Sequence, residues 1–213
     1  MLTVHHLGVS QSDRIVWLCE ELGIPYEMKK YDREPSGMAP PAYKALHPSG
    51  TAPIITDGDL TLGESGAIIE YIIGRHGGGR LAVTADKPNF ADYLFWFHFA
   101  NASMLPRSMM VMILAMAGAA EGGDPRVAAM AARADQAFDM VEKRLGQADY
   151  FAGADFTAAD IMMTFGLTVM RMFAQRDLAP YPNIRAYLQR IGSRPAYQRA
   201  TKKADPDLPL MLG

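Results

Sequence analysis

The hydrophobic pattern changes character about a third of the way along the chain. The short run Leu2–Leu7 stops at Gly8, which suits a strand. Ser12-Asp13 then offers a helix start, and Ile15, Val16, Leu18, Cys19 and Leu22 recur at helical spacing up to Gly23. Pro25 ends that helix, and Tyr26–Tyr31 reads as a second strand. Arg33–Pro41 is a loop, and a short helix is expected over Ala42–Leu46, stopped by Pro48-Ser49-Gly50. Ala52-Pro53 opens a strand at Ile54-Ile55-Thr56, and Asp57-Gly58 turns it into a short strand around Leu60. Gly63-Glu64-Ser65 begins a helix whose apolar positions are Ile68, Ile69, Tyr71 and Ile72. The order β-α-β-α-β-β-α predicts a small α/β domain over residues 1–79.

Gly77-Gly78-Gly79 breaks the pattern, and from Phe90 onward every segment has helical character. Helices are expected over Asp92–Met104, Ser108–Ala120, Pro125–Leu145, Thr157–Ala174 and Pro182–Ser193, with a short one over Ala196–Ala200. Pro106 kinks or restarts the chain between the first two. Residues 87–213 therefore form an all-α domain.

Composition narrows the function classes. Among 213 residues, 49% are hydrophobic and 21% charged, which suits a globular protein. A net charge of −2 gives no electrostatic case for nucleic acid or an anionic membrane. No apolar stretch reads as long enough to span a membrane, and the N-terminus lacks the plan of a secretory signal. The single cysteine, Cys19, excludes an intrachain disulfide and sits on the apolar helix face, as a buried thiol would; a reducing cytoplasm fits. Fifteen methionines, many between Met104 and Met172, suit an adaptable apolar lining or ordinary core.

Candidate chemistry concentrates in Thr51–Ser65. A proline at a strand start gives no ladder hydrogen bond, so it belongs at an edge or a special turn, and a cis bond would account for it. The helix starting at Glu64-Ser65 points free N–H groups and a positive dipole end outward, where a carboxylate is favoured. The stretch thus offers a peptide edge beside an anion site. Phe156-Thr157-Ala158-Ala159-Asp160 has the spacing of a capping box, a stability feature. The five histidines have no metal-ligand spacing, Ser10 has no hydrolase elbow around it, and Gly77–Gly79 lacks the Lys-Ser/Thr of a phosphate loop.

Four blocks, Thr3–Tyr26, His47–Ile55, Leu62–Tyr71 and Tyr150–Met163, occur in the order and spacing of the cytosolic glutathione transferases, and the chain resembles the bacterial and fungal serine-type branch of that family. The resemblance implies a thioredoxin-like first domain and a helical second domain. It implies glutathione as co-substrate, with no tightly bound cofactor and no metal, and a small hydrophobic electrophile as second substrate. By similarity, glutathione lies along an edge strand that starts at the proline, held by Thr51, Ala52 and Pro53, with Glu64 and Ser65 on its γ-glutamyl end. The family often carries Lys or His before the Ala-Pro pair for the glycine carboxylate. This chain has Gly50 and Thr51 there, so Thr51, Arg33, Lys44 or His47 would have to serve.

Serine-type members place a hydroxyl near the first helix to favour the thiolate. Ser10 matches that position, and Ser12 is the alternative, with helix capping as its plainer role. His5 and His6 stand where tyrosine-type members carry their tyrosine, and no cysteine stands near Ser10. By analogy the second substrate enters between the domains, lined by Val9, Asn101, Met104, Arg107, Ser108 and Met112. The resemblance also implies a cytoplasmic homodimer with a detoxifying role. The readings left open are another glutathione-dependent reaction (peroxidase, isomerase or dehalogenase) and a non-catalytic ligand carrier or assembly protein.

Overall fold

The computed structural model describes residues 1–213, the side chains of residues 120 and 121 excepted; the apolar character expected of Ala120 lies outside it. In chain order the elements are β1 (Leu2–Leu7), α1 (Asp13–Leu22), β2 (Glu27–Tyr31), α2 (Pro41–Lys44), β3 (Ile54–Asp57), β4 (Leu60–Gly63), α3 (Ser65–Arg75), α4 (Phe90–Phe99), α5 (Leu105–Met116), α6 (Pro125–Leu145), α7 (Ala158–Leu167), α8 (Pro182–Gly192) and α9 (Pro195–Ala204). Two compact units result, residues 1–82 with 192–210, and residues 83–191 with 211–213.

The first unit is built on a four-stranded sheet of order β2-β1-β3-β4. β1 runs parallel to β2 and antiparallel to β3, and β3 runs antiparallel to β4. Central β1 is buried almost throughout, so its polar residues His5 and His6 are enclosed with Leu2, Val4 and Leu7. α1 buries Ile15, Val16, Trp17, Leu18, Cys19 and Leu22 because β1, α3 and α9 all pack on it. β3 is an interior strand, which corrects the expectation that the strand after Pro53 is an edge.

The last helix is longer than Ala196–Ala200 and packs on α1, in the first unit. Trp17 meets the Tyr197 ring edge-on at 4.8 Å. Arg194 gives two hydrogen bonds to Glu21, 2.7 and 2.8 Å, and Arg199 gives one to Glu20 at 3.1 Å. By its contacts α9 groups with the first unit, where the sequence reading placed it in the all-helical stretch of residues 87–213. The amphipathic pattern of α9 told of a buried face, not of which helix buries it.

The second unit is helical. α4 continues into α5 through a π-turn at Ala100–Met104, just before Pro106. Proline lacks the N–H that would close a normal turn and crowds the carbonyl four residues back, and a wider turn accommodates both. The continuous run Phe90–Met116 is long and apolar enough, by length and composition, to cross a membrane, where the sequence reading expected no such stretch. In this unit it packs against α6 and α7. The helix expected over Thr157–Ala174 is broken at Thr168, after which a 3-10 turn spans Val169–Met172. The capping box is present: Asp160, fully buried, accepts the Thr157 N–H at 2.8 Å, the Phe151 N–H at 3.0 Å and the Tyr187 hydroxyl at 3.3 Å.

Candidate active site

Three segments leave the sheet at one end. His5 of β1 pairs with Ile54 of β3, and Ile54 pairs with Gly63 of β4. The residues beyond those rungs are Gly8–Ser12 after β1, Thr51–Pro53 before β3 and Glu64-Ser65 after β4. Antiparallel pairing sends all three off the same end of the ladder. The Ala52–Pro53 peptide is cis. Ala52 is half-buried and lies two residues outside the first rung, and no hydrogen bond to its N–H or C=O is found among the described residues. Thr51 is exposed and Pro53 buried.

At the neighbouring corner, exposed Glu64 has φ 69° and ψ 120°, and Ser65 opens α3 while 1% exposed. Positive φ is uncommon outside glycine, so Glu64 is held there by its surroundings. Beneath Ser65 lies Arg14, 2% exposed. Its Nη1 donates to Gln11 Oε1 at 2.7 Å and to Ser65 Oγ at 3.3 Å, and the Ser65 hydroxyl reaches Gln11 Oε1 at 3.5 Å. Burial lowers the Arg14 guanidinium to about 10 while Asp13 supports its charge, so it stays cationic at neutral pH. A buried cation behind a helix N-terminus reinforces the positive potential there.

Both serines of the β1–α1 loop are enclosed, Ser10 at 7% and Ser12 at 0% exposure. Ser12 occupies the N-cap position of α1, yet its side chain makes no cap hydrogen bond. Its Oγ instead meets His6 Nδ1 at 2.9 Å and Ser10 Oγ at 2.8 Å, and accepts the Leu7 N–H at 3.1 Å. The Ser10 hydroxyl donates to the Leu7 carbonyl at 2.7 Å and accepts the Ser12 N–H at 3.2 Å. Val9 stands at φ 51° between an N–H bonded to Asp205 Oδ2 (3.1 Å) and a carbonyl bonded to Arg33 Nη2 (2.9 Å).

The three basic side chains open to the glycine-carboxylate role have different surroundings. Arg33 spends its donors on the carbonyls of Gly8, Val9 and Gly37. Exposed Lys44 lies against Gly50. His47 lies over Gly63, where a Cβ would come within 3.4 Å of its ring, and pairs with Ser49 Oγ at 2.9 Å.

In the second unit Asn101 and Met104 sit in the π-turn, and Arg107, Ser108 and Met112 in the first turns of α5. Met104 is 1% exposed and its sulfur would stand 3.2 Å from a Cβ on Gly166, so it belongs to that unit's core. Ser108 is also buried, whereas Asn101, Arg107 and Met112 are half-buried. Arg107 lies 5.9 Å from the Phe99 ring centroid and donates to the Arg133 carbonyl. Val9 belongs to the other unit.

Two family models match this chain, the N-terminal domain of glutathione S-transferase over residues 10–74 and the C-terminal domain over residues 104–195. Glutathione S-transferase 3 of Schizosaccharomyces pombe is 35% identical over 96% of this chain and 88% of its own length. The chain belongs to the cytosolic glutathione transferase family. A crystal structure of a glutathione S-transferase from Actinobacillus pleuropneumoniae superposes with a TM-score of 0.86 at 35% identity, covering 96% of this chain and 93% of that one. The theta-class glutathione S-transferase of Xanthomonas axonopodis pv. citri, solved with glutathione bound, gives 0.73 at 25% identity over 93% and 96%. The thioredoxin-like and helical parts of the transferase fold agree with the class expected from the sequence.

Sequence reasoning missed Arg14 and Gln11 of this transferase. The available signal was a charged residue amid the apolar positions of α1, with Ile15, Val16, Trp17 and Leu18 all buried beside it. It also missed Asp205, since a lone carboxylate in a proline-bearing tail gives no local signal.

Proposed function

We propose that the first unit binds glutathione at the end of its sheet, and that the transferase joins the glutathione sulfur to a small hydrophobic electrophile. The observation that carries this reading is the convergence of the cis Ala52–Pro53 corner, the Ser65 helix start and the Ser10 loop. Ala52, between Thr51 and Pro53, presents a backbone N–H and C=O outside the ladder, as an extended peptide requires. Ser65, the first N–H groups of α3 and the Arg14 charge behind them suit the γ-glutamyl carboxylate. Exposed Glu64 suits the α-ammonium. With Arg33 committed to backbone carbonyls, Lys44, His47 and the Thr51 hydroxyl are the groups left for the glycine carboxylate.

Ser10 is the thiol partner in this reading, with Ser12 the alternative. Ser10 has one hydroxyl proton, and redirecting it from the Leu7 carbonyl to the sulfur favours the thiolate over the thiol, whose ordinary pKa is near 8.5. The thiolate then forms a carbon–sulfur bond while the electrophile's leaving group departs with the electron pair. The half-buried Asn101, Arg107 and Met112 of the second unit would line the electrophile, with buried Met104 and Ser108 on the same stretch of helix. No cofactor and no metal enters the reaction; glutathione is the co-substrate. The protein acts in the cytoplasm, in detoxification, as a homodimer. Exposed Phe95, Met109, Met110 and Ile113 on α4 and α5 favour association with a second copy.

The test is calorimetric titration of glutathione into the protein and into Ser65→Ala. The variant should bind about tenfold or more weakly, the cost of a lost hydrogen bond to a charged group. Equal affinity would remove the γ-glutamyl assignment. Absence of binding to the unaltered protein would favour the carrier or assembly role, and a substrate panel separates conjugation from peroxidase, isomerase and dehalogenase activity.

A further inference from the structure

A continuous hydrogen-bonded chain runs from the C-terminal segment to the Ser10 loop. Asp205, directly after α9, meets His6 Nε2 with its Oδ2 at 3.1 Å. His6 Nδ1 meets Ser12 Oγ at 2.9 Å, and Ser12 Oγ meets Ser10 Oγ at 2.8 Å. None of the four residues is more than 8% exposed. The same Asp205 oxygen accepts the Val9 N–H at 3.1 Å, and Lys30 Nζ stands 3.7 Å from the other oxygen. The charged groups around this chain are Asp13 and Arg14 of α1, Lys30 of β2, and Arg33.

We propose that Asp205, His6 and Ser12 are positioning residues which fix the direction of the Ser10 hydroxyl and hold the Gly8–Ser12 loop in its working conformation. The inference rests on the reading of Ser10 as the thiol partner. An ionised carboxylate only accepts, so a neutral His6 carries its proton on Nε2 and leaves Nδ1 as an acceptor. Ser12 then gives its single proton to Nδ1 and accepts at its oxygen. It has none to offer Ser10 or the Leu7 carbonyl. Ser10 already accepts the Ser12 N–H, so its own proton is the one that bridges to Ser12 Oγ or turns to the Leu7 carbonyl, and it is the mobile donor that can turn to an arriving sulfur.

The carboxylate does a second thing. By fixing the Val9 N–H it holds a β-branched residue at φ 51°, a conformation that persists only where neighbours impose it. Arg33 fixes the Gly8 and Val9 carbonyls from the other side. An asparagine at 205 has only one atom to place where Oδ2 stands: its oxygen keeps both contacts without the charge, and its N–H₂ reverses the His6 tautomer but leaves the Val9 N–H without that acceptor. Either way the ionised carboxylate that fixes the proton on Nε2 is gone, and Ser12 is free to compete for the Leu7 carbonyl and the Ser10 oxygen.

The experiment uses the full chain with Asp205→Asn, Ser10→Ala and the double variant, following the pH dependence of kcat/KM for glutathione with chlorodinitrobenzene and the ultraviolet titration of bound thiolate. Asp205→Asn should raise the bound thiol pKa by about one unit, a tenfold smaller thiolate fraction below it, with KM for glutathione changed less than about twofold. Added to Ser10→Ala it should cost nothing further. A folded Asp205→Asn with an unchanged thiol pKa, beside a Ser10→Ala that is raised, overturns the relay alone. An equal loss in both backgrounds also overturns it. An unchanged thiol pKa in Ser10→Ala removes the Ser10 reading and the relay together. If Asp205→Asn does not fold, Ser12→Ala breaks the same chain at its middle and is judged by the same outcomes.

Discussion

Asp13 shows how a single residue records its surroundings. It is half-buried, but its Oδ1 is closed to solvent and has no hydrogen-bond partner among the described residues. Burial pushes its carboxyl up to about 7, although Arg14 and His6 pull the other way. A group bound to its proton more tightly in the folded chain contributes stability below its unfolded value near 3.8, and that contribution is lost as pH rises through about 7. Asp13→Asn should therefore gain on the unaltered protein in melting temperature as pH rises from about 4 to 7, then level off. A difference that stays constant across that range would show the carboxyl titrates normally. Asp205 has the opposite sign. Burial alone would raise it, but the His6 contact, the Val9 N–H and Lys30 together hold it below the usual carboxylate range. Its share of stability is present at neutral pH and is lost as pH falls from the ordinary value near 3.8 through its lowered folded value. None of this was readable beforehand. Ser12 reads as a helix cap from its neighbours, yet its hydroxyl serves His6, because a buried histidine nitrogen with no other partner competes successfully for it.

At the scale of elements, periodicity placed β1, α1, β3, β4, α3 and the long α6 close to where they lie. The Thr157–Asp160 cap was legible for the same reason, since the whole device fits within one turn. Periodicity failed where a neighbour sets the outcome. Helix α7 stops at Thr168, and α9 packs on α1. The α9–α1 clamp is testable on its own. Glu21 is 8% exposed in its side chain and accepts two hydrogen bonds from Arg194 and one from the Trp17 indole at 2.9 Å. Arg194→Ala should cost about 1–2 kcal/mol, between the worth of an exposed pair and that of a fully buried one, read as a lowered denaturation midpoint with unchanged m-value. A loss below about 0.3 kcal/mol would mean α9 is held by its apolar face alone.

At the scale of the whole molecule, Phe95, Met109, Met110 and Ile113 of α4 and α5 are exposed, and the proposed homodimer would cover them. Ile113→Asp, with that side chain 51% exposed, should shift the molecular mass seen by light scattering from dimer to monomer while the fold is kept. A monomeric unaltered protein would remove the dimer from the reading. The sequence by itself determined the two-part division, the strand and helix order, the Ala52–Pro53 corner and the Glu64–Ser65 helix start. These are local matters, set by periodicity, by proline and glycine, and by residues within a turn of one another. The tertiary structure alone decided that β3 is interior, that Arg14 lies beneath Ser65, that Arg33 is spent on backbone carbonyls, and that Asp205 reaches His6. Those contacts join residues far apart in the chain, and a partner chosen by burial and by unmet hydrogen bonds leaves no periodic trace in the sequence.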